Sequence, residues 1–285
     1  MADTLAPLAP TASAQRAFSG ASRSAARASV TVLRRIGSIL AYVAVALLLW
    51  QGFVVLLDVD PLIVPAPLPV IQALAMQLTS PVIWSATWVT FQEAVYGFAI
   101  GAAIGIAIAI ALSESRLLYR LINPYIVAFQ AIPKVALTPL FIVWFGFGIW
   151  SKVVLIATFT FFPVMVNMYQ GLRSTTSEEE ELMRVSHATR WQRFRHLRLY
   201  RSLPYLFAAF EASFVLCLTG AVLAELLGSG TSVGLGTLVQ MYTSTYNMAG
   251  LFGIITLLSL FGVLFDLIVK GTARIVLRWN RKTDH

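Results

Sequence analysis

Among the charged side chains that stand within, or at the ends of, long apolar runs of this sequence are Glu93, Lys134, Glu211, Glu225 and Asp266. A charge at the centre of a bilayer costs about 2.5–3.5 kcal/mol on insertion scales, so none of the five should face lipid. Glu93, Lys134, Glu211 and Glu225 are therefore candidates for two roles: lining a translocation path, or pairing with one another to hold helices together. Glu225 and Asp266 lie near predicted span ends, where reaching the interface is an alternative. No other reactive side chains gather. His187, His196 and His285 have no ligand spacing, Cys217 is the single cysteine, and no Ser/His/Asp or paired-carboxylate set is visible. The residues support no catalytic role, no metal site and no cofactor bound by this chain.

The runs that carry these charges define the elements. The 285 residues are 58% apolar and 12% charged, with a mean hydropathy of +0.77. A soluble domain is about a quarter charged, so a water-soluble enzyme is excluded. A helix crosses the hydrocarbon with about 20 apolar residues. That length predicts six spans, at about 36–57, 88–112, 122–146, 152–172, 204–227 and 250–270. The runs are continuous rather than alternating, which excludes a β-barrel. The expected fold is thus all-α and integral to a membrane. Pro124, Pro133, Pro139 and Pro163 break up the third and fourth spans. Broken helices are tolerated only beside protein or a watered cavity. Gly97, Gly101 and Gly105 share one face of the second span, a spacing that predicts close packing against another helix. The glycine-rich run 228–236 lacks the strand and lysine of a phosphate loop.

Lysine and arginine set the orientation. Nineteen of the 21 fall in 1–35, 113–121, 173–203 and 270–285, and none in 58–87, 147–151 or 228–249. The positive-inside rule then places both termini in the cytoplasm, which agrees with an even number of spans. Residues 1–35 read as a disordered basic cytoplasmic tail, with an organelle transit peptide as the lesser alternative. Residues 36–270 form the membrane domain, and 271–285 a basic cytoplasmic C-terminal tail.

The segment 173–203 has the most distinctive pattern. Ser177 followed by Glu180 reads as a capping box, and the acids 178–181 suit the positive end of a new helix. Arg190, Arg193, Arg195, Arg198 and Arg201 then alternate with Trp191, Phe194, Leu197 and Tyr200. A short helix followed by a basic amphipathic stretch along lipid headgroups fits both halves. Arginine with aromatics also suits nucleic acid, but a loop tethered at both ends leaves little room, so membrane lipid is the expected contact.

These residues resemble a family, the type I ABC importer permeases. Members carry a Glu-Ala-Ala motif here, then three residues, a glycine and, further on, a Leu-Pro ending. In this chain Glu181, Leu182, Met183, then His187 and Ala188, run on to Leu203-Pro204 with the same spacing, Leu182 and Met183 standing for the two alanines and His187 for the glycine. The remainder is similar to the nitrate/sulfonate/taurine branch. The matching stretches are Val64-Pro65-Ala66-Pro67, Thr90 and Glu93 through Gly97-Phe98, Ile132 through Leu140 with Trp144-Phe145-Gly146, Phe161-Phe162-Pro163 with Gly171, and Ala224-Glu225 with Gly234-Leu235-Gly236.

The resemblance implies the permease subunit of an ATP-driven importer in a bacterial inner membrane, working as a dimer. A cytoplasmic ATPase subunit, using ATP and Mg, would dock on Glu178, Glu181, Leu182, Met183, Arg184, His187, Ala188, Thr189 and Arg190. An extracytoplasmic binding protein would deliver a small, often anionic solute, such as nitrate, a sulfonate, taurine or bicarbonate, or a vitamin-related compound. His187 in the glycine position is read as a wider groove in this ATPase. A secondary transporter or channel using Lys134, Glu93 and Glu211 without an ATPase is the alternative.

Overall fold

The computed structural model describes residues 41–228 and 232–278, together with Arg34, Gly37 and Ser38. The expected N-terminal tail and the last seven residues lie outside the described residues, Arg34 apart. Among the described residues every regular element is helical. The chain divides into two compact units, 1–67 and 68–285. In the first, α1 (Ala41–Leu56) is an uncharged helix of 16 residues within the expected first span. Beyond it, Asp60 fixes a turn by accepting from Leu62 N at 2.8 Å.

The second unit begins with α2 (Pro67–Thr79) and is dominated by four long apolar helices: α3 (Pro81–Glu114), α6 (Ile149–Leu172), α9 (Leu199–Leu227) and α11 (Met248–Val276). Between α3 and α6, α4 (Arg116–Ala131) and α5 (Thr138–Phe145) meet at 86° across Ile132, Pro133 and a 3-10 turn at Lys134–Leu137. The expected span 122–146 is this bent pair, because Pro133 supplies no N–H and disfavours helix at Ile132. Four helices are long and apolar enough to cross a membrane, and the bent pair makes a fifth. At 34 residues α3 is about 51 Å long. Only Ser115 separates it from α4, so the expected loop 113–121 is largely helix.

Two further expectations are corrected. The basic stretch 190–203 is no separate surface segment. It is the front of one helical column, Arg190–Leu227, in which α8 (Arg190–Arg193) widens to a π turn at Phe194–Arg198 and runs into α9. Pro204 lies inside that column rather than opening it. Likewise α11 extends to Val276, so the expected C-terminal tail begins within a helix.

The core is the α3–α6–α9 stack, with α6 in the middle. Gly97, Gly101 and Gly105 lie where α3 meets α6. A Cβ on Gly101 would stand 2.5 Å from Ala157 O and 2.7 Å from Thr160 Cβ, and one on Gly105 would stand 2.8 Å from Phe161 O. The neighbouring backbone fills the space a side chain would need. Lipid-immersed helices associate by such close packing, since burial of apolar surface drives little there. Gln77 donates to Gly250 O at 2.8 Å and ties α2 to the start of α11.

Replacing Gly101 by leucine should force α3 and α6 apart. Overpacking of this kind costs about 1–3 kcal/mol, and more where backbone is the obstacle. The thermal midpoint of the detergent-solubilised protein should fall sharply, whereas leucine at Gly271, where a Cβ meets nothing within 4 Å, should leave it unchanged.

Candidate functional site

Charged residues cluster in two places: within the helix stack, and on the segment joining α6 to α9. Within the stack, Thr90 and Glu93 of α3 are three residues apart, so both point into the same interface. Glu93 is fully buried, and its Oε1 accepts from Lys152 Nζ at 2.8 Å; Lys152 is also buried, at the start of α6. The ammonium further donates to Ser232 Oγ at 3.2 Å. Burying two charges costs less when they are paired, as these are through Oε1; Glu93 Oε2 is buried without a hydrogen-bond partner among the described residues.

Glu225, at the end of α9, has its own cradle. Its Oε1 accepts from Thr90 Oγ at 2.6 Å, and its Oε2 accepts from Gly236 N at 2.5 Å and Thr237 N at 3.3 Å. Thr90 Oγ in turn accepts from Leu235 N at 2.8 Å. The carboxylate thus sits on the first turn of α10 (Leu235–Ser244), where free N–H groups favour an anion. A Cβ on Gly234 would run into that carboxylate, so the glycine is what allows the approach. Through these bonds residues 232–237 are fastened to α3, α6 and α9.

The sequence suggested Glu93 or Glu211 as partners of Lys134. The structure gives Glu93 to Lys152 instead. Lys134, half-buried, lies over the rings of Phe159 and Phe162, 5.8 and 5.3 Å from their centroids, a cation–π arrangement. Among the described residues no hydrogen bond or ion pair joins Lys134 to Glu93, Glu211 or Glu225. Asp266 pairs with Lys270 one turn on at 2.7 Å, partly exposed, and Glu211 lies near enough to Lys270 to feel its charge. Lys152 and Thr90 are the members that sequence reasoning missed. The available signal was Thr90 at helical spacing from Glu93, and a lysine opening a run otherwise free of charge.

In the second cluster, α7 (Ser177–Val185) is capped by Thr176, whose hydroxyl accepts from Glu179 N while Glu179 returns a bond to Thr176 N. The capping box is therefore one residue earlier than Ser177 and Glu180. The Glu178 carboxyl is held below the ordinary glutamate value of 4.5, because its own backbone N–H and then the Thr176 hydroxyl donate to it. The depressed value means that this contribution to α7 is complete at neutral pH and is lost as pH falls through it.

Glu179 and Glu180 brace α7 against the following column. Glu180 accepts from Arg198 Nε at 2.9 Å and lies 3.7 Å from Arg193, and Glu179 pairs with Arg201. The helix ends in a Schellman turn: His187 N donates to Arg184 O and Ala188 N to Met183 O, both at 3.0 Å. His187 has φ +54°, the left-handed conformation that glycine adopts without a Cβ penalty. Thr189 then caps α8 with Gln192. Leu182 and Val185 project from α7 at 68% and 71% exposure, while Glu181, Arg184 and Arg190 are also exposed and Met183 and Ala188 half-buried.

Residues 101–278 match the family model of the binding-protein-dependent transport system inner membrane component. The chain is 35% identical over 234 residues (82% of this chain, 87% of the relative) to the riboflavin transport system permease protein of Chloroflexus aurantiacus. It is 31% identical to the formylaminopyrimidine transport permease protein of Halalkalibacterium halodurans (78% and 88%) and 30% identical to a putative aliphatic sulfonates transport permease protein of Bacillus subtilis (85% and 87%). Among solved structures, a chain of the MetNI methionine ABC transporter in inward-facing conformations superposes with a TM-score of 0.56 at 22% identity, covering 68% of this chain and 94% of that one. The chain belongs to the family of binding-protein-dependent inner-membrane transport components, and is a multi-pass ABC importer permease for small solutes.

Breaking a buried pair on one side leaves an uncompensated charge and costs about 3–5 kcal/mol. Glu93→Gln and Lys152→Met should each lower the thermal midpoint strongly, and the double variant should lose less than the sum of the two, as measured in a double-mutant cycle. Additive losses would show that the two side chains do not depend on each other. His187→Gly removes the Cβ penalty of about 1–2 kcal/mol and should raise the thermal midpoint slightly.

Proposed function

We propose that this chain is the membrane half of an ATP-driven importer, with two copies forming the pore and α7 receiving a cytoplasmic ATPase subunit. The observation that carries this reading is α7 itself. It is a nine-residue helix presenting two uncovered apolar side chains, Leu182 and Val185, braced from behind by ion pairs to the column that becomes α9. An exposed apolar pair on a rigid, capped helix suits a helix-in-groove partner. Closure of two ATPases around ATP would move both α7 helices, and the braces would carry that motion into α9. Access would then alternate between the two faces of the membrane. In this reading the α7 end and both termini are cytoplasmic, and a binding protein delivers solute at the opposite face.

The solute is a small organic molecule of the vitamin-precursor or sulfonate kind. Support comes from the relatives, named for riboflavin, formylaminopyrimidine and aliphatic sulfonates. His187 takes a positive φ that glycine adopts without a Cβ penalty, and a wider ATPase groove would accommodate its side chain. The imidazole adds bulk on an exposed edge.

Co-expression of the chain with its ATPase tests the reading. Wild type should retain the ATPase in mild detergent, and Leu182→Asp with Val185→Asp should release it while the permease stays folded. Retention by the double variant would overturn the docking assignment. Solute uptake by wild type without any ATPase, driven by an ion gradient, would favour the secondary-transporter reading instead.

A further inference from the structure

Where α3 and α6 end, a polar cavity of about 500 Å³ opens between the α3–α4 corner, α7 and the column beginning at Arg190. Five guanidinium groups line it, those of Arg116, Arg173, Arg184, Arg193 and Arg198, against two carboxylates, Glu114 and Glu180. The excess is three positive charges in one cavity. The carboxylates do not neutralise it evenly. Glu180 takes Arg198 at 2.9 Å and Arg193 at 3.7 Å, and Glu114 takes only Arg198, at 3.7 Å. Arg173 donates to the neutral Tyr169 hydroxyl at 2.8 Å. Arg116 and Arg184 have no carboxylate within 4.0 Å among the described residues. Arg193 Nε is buried with no acceptor at all. Guanidinium forks left unfilled around one cavity suit a ligand with several anionic oxygens, which phosphate provides.

We propose that this cavity binds a phosphate-bearing anion, and that its place at the end of two spans favours the headgroup of an anionic phospholipid. The site is distinct from the exposed apolar edge of α7, and it does not rest on the transport reading. Bound there, a phosphate bridges the α3–α4 corner to the segment carrying α7. The anion then adds a second link between the membrane helices and α7, beside the Glu179 and Glu180 ion pairs.

The test uses the full-length chain and native mass spectrometry, with phosphatidylglycerol and phosphatidylcholine as probes and inorganic phosphate as competitor. Wild type should retain phosphatidylglycerol over phosphatidylcholine, and phosphate should displace it. Loss of two charged forks in Arg116→Gln with Arg173→Gln should weaken retention by about tenfold or more. Arg195→Gln with Arg274→Gln removes the same charge elsewhere and should retain wild-type binding. Retention of inorganic phosphate without lipid preference would support the site and identify a soluble anion as its source. Equal retention by the two double variants would overturn the proposal. If the first double variant does not fold, wild type decides alone: no lipid preference and no phosphate binding overturns it.

Discussion

A lysine and a glutamate, 2.8 Å apart and both shut off from solvent, lie in the seam between α3 and α6. Neither charge is tolerable alone at that depth, so the two helices must stay in register for either to be satisfied. The glycine face of α3 makes the register possible, because Gly101 and Gly105 lie directly against the α6 backbone and Gly97 against the Ile156 side chain. Thr90, one turn before Glu93, extends the same seam to Glu225 and the first turn of α10. Residues 232–237 would otherwise be an irregular segment between spans. They are held instead by a carboxylate, a hydroxyl and an ammonium from three different helices.

Against that fixed frame, α7 is joined to the membrane helices mainly through charge. Glu179 and Glu180 hold it to Arg201 and Arg198, on the column that continues as α9. Partly buried pairs in a network hold geometry better than isolated surface pairs do. The column carries these arginines at one end and Glu225 at the other. The residues that hold α7 and the residue that fastens 232–237 therefore sit on one helical column.

Much of this was legible in the sequence, and the failures have physical causes. Glycines at a spacing of four, prolines in the third span and acids at the head of a loop helix each reflect local backbone geometry, and local geometry is what a pattern records. Charge pairing is not local. Lys134 lies deep in its run and drew attention as the partner of Glu93, but two phenylalanine rings cover it, while Lys152 sits at a span end and turns inward. The capping box was misplaced by one residue because Thr176/Glu179 and Ser177/Glu180 both satisfy the same four-residue pattern. Pro204 looked like a helix start, yet it lies inside α9, which continues without a break from the π turn before it. His187 looked like a departure from the motif. Its positive φ is one that glycine adopts without a Cβ penalty.

On the proposed reading, α7 and α9 move as one body when the partner ATPases bind ATP. Spin labels at the exposed positions Ser177 and Val215, in a background lacking Cys217, allow the distance between them to be read by pulsed electron resonance in the assembled transporter. The account predicts that the distance within one copy stays constant between nucleotide-free and ATP-bound states, while the distance between the two copies' position 177 shortens. A change within one copy as large as the change between copies would contradict it.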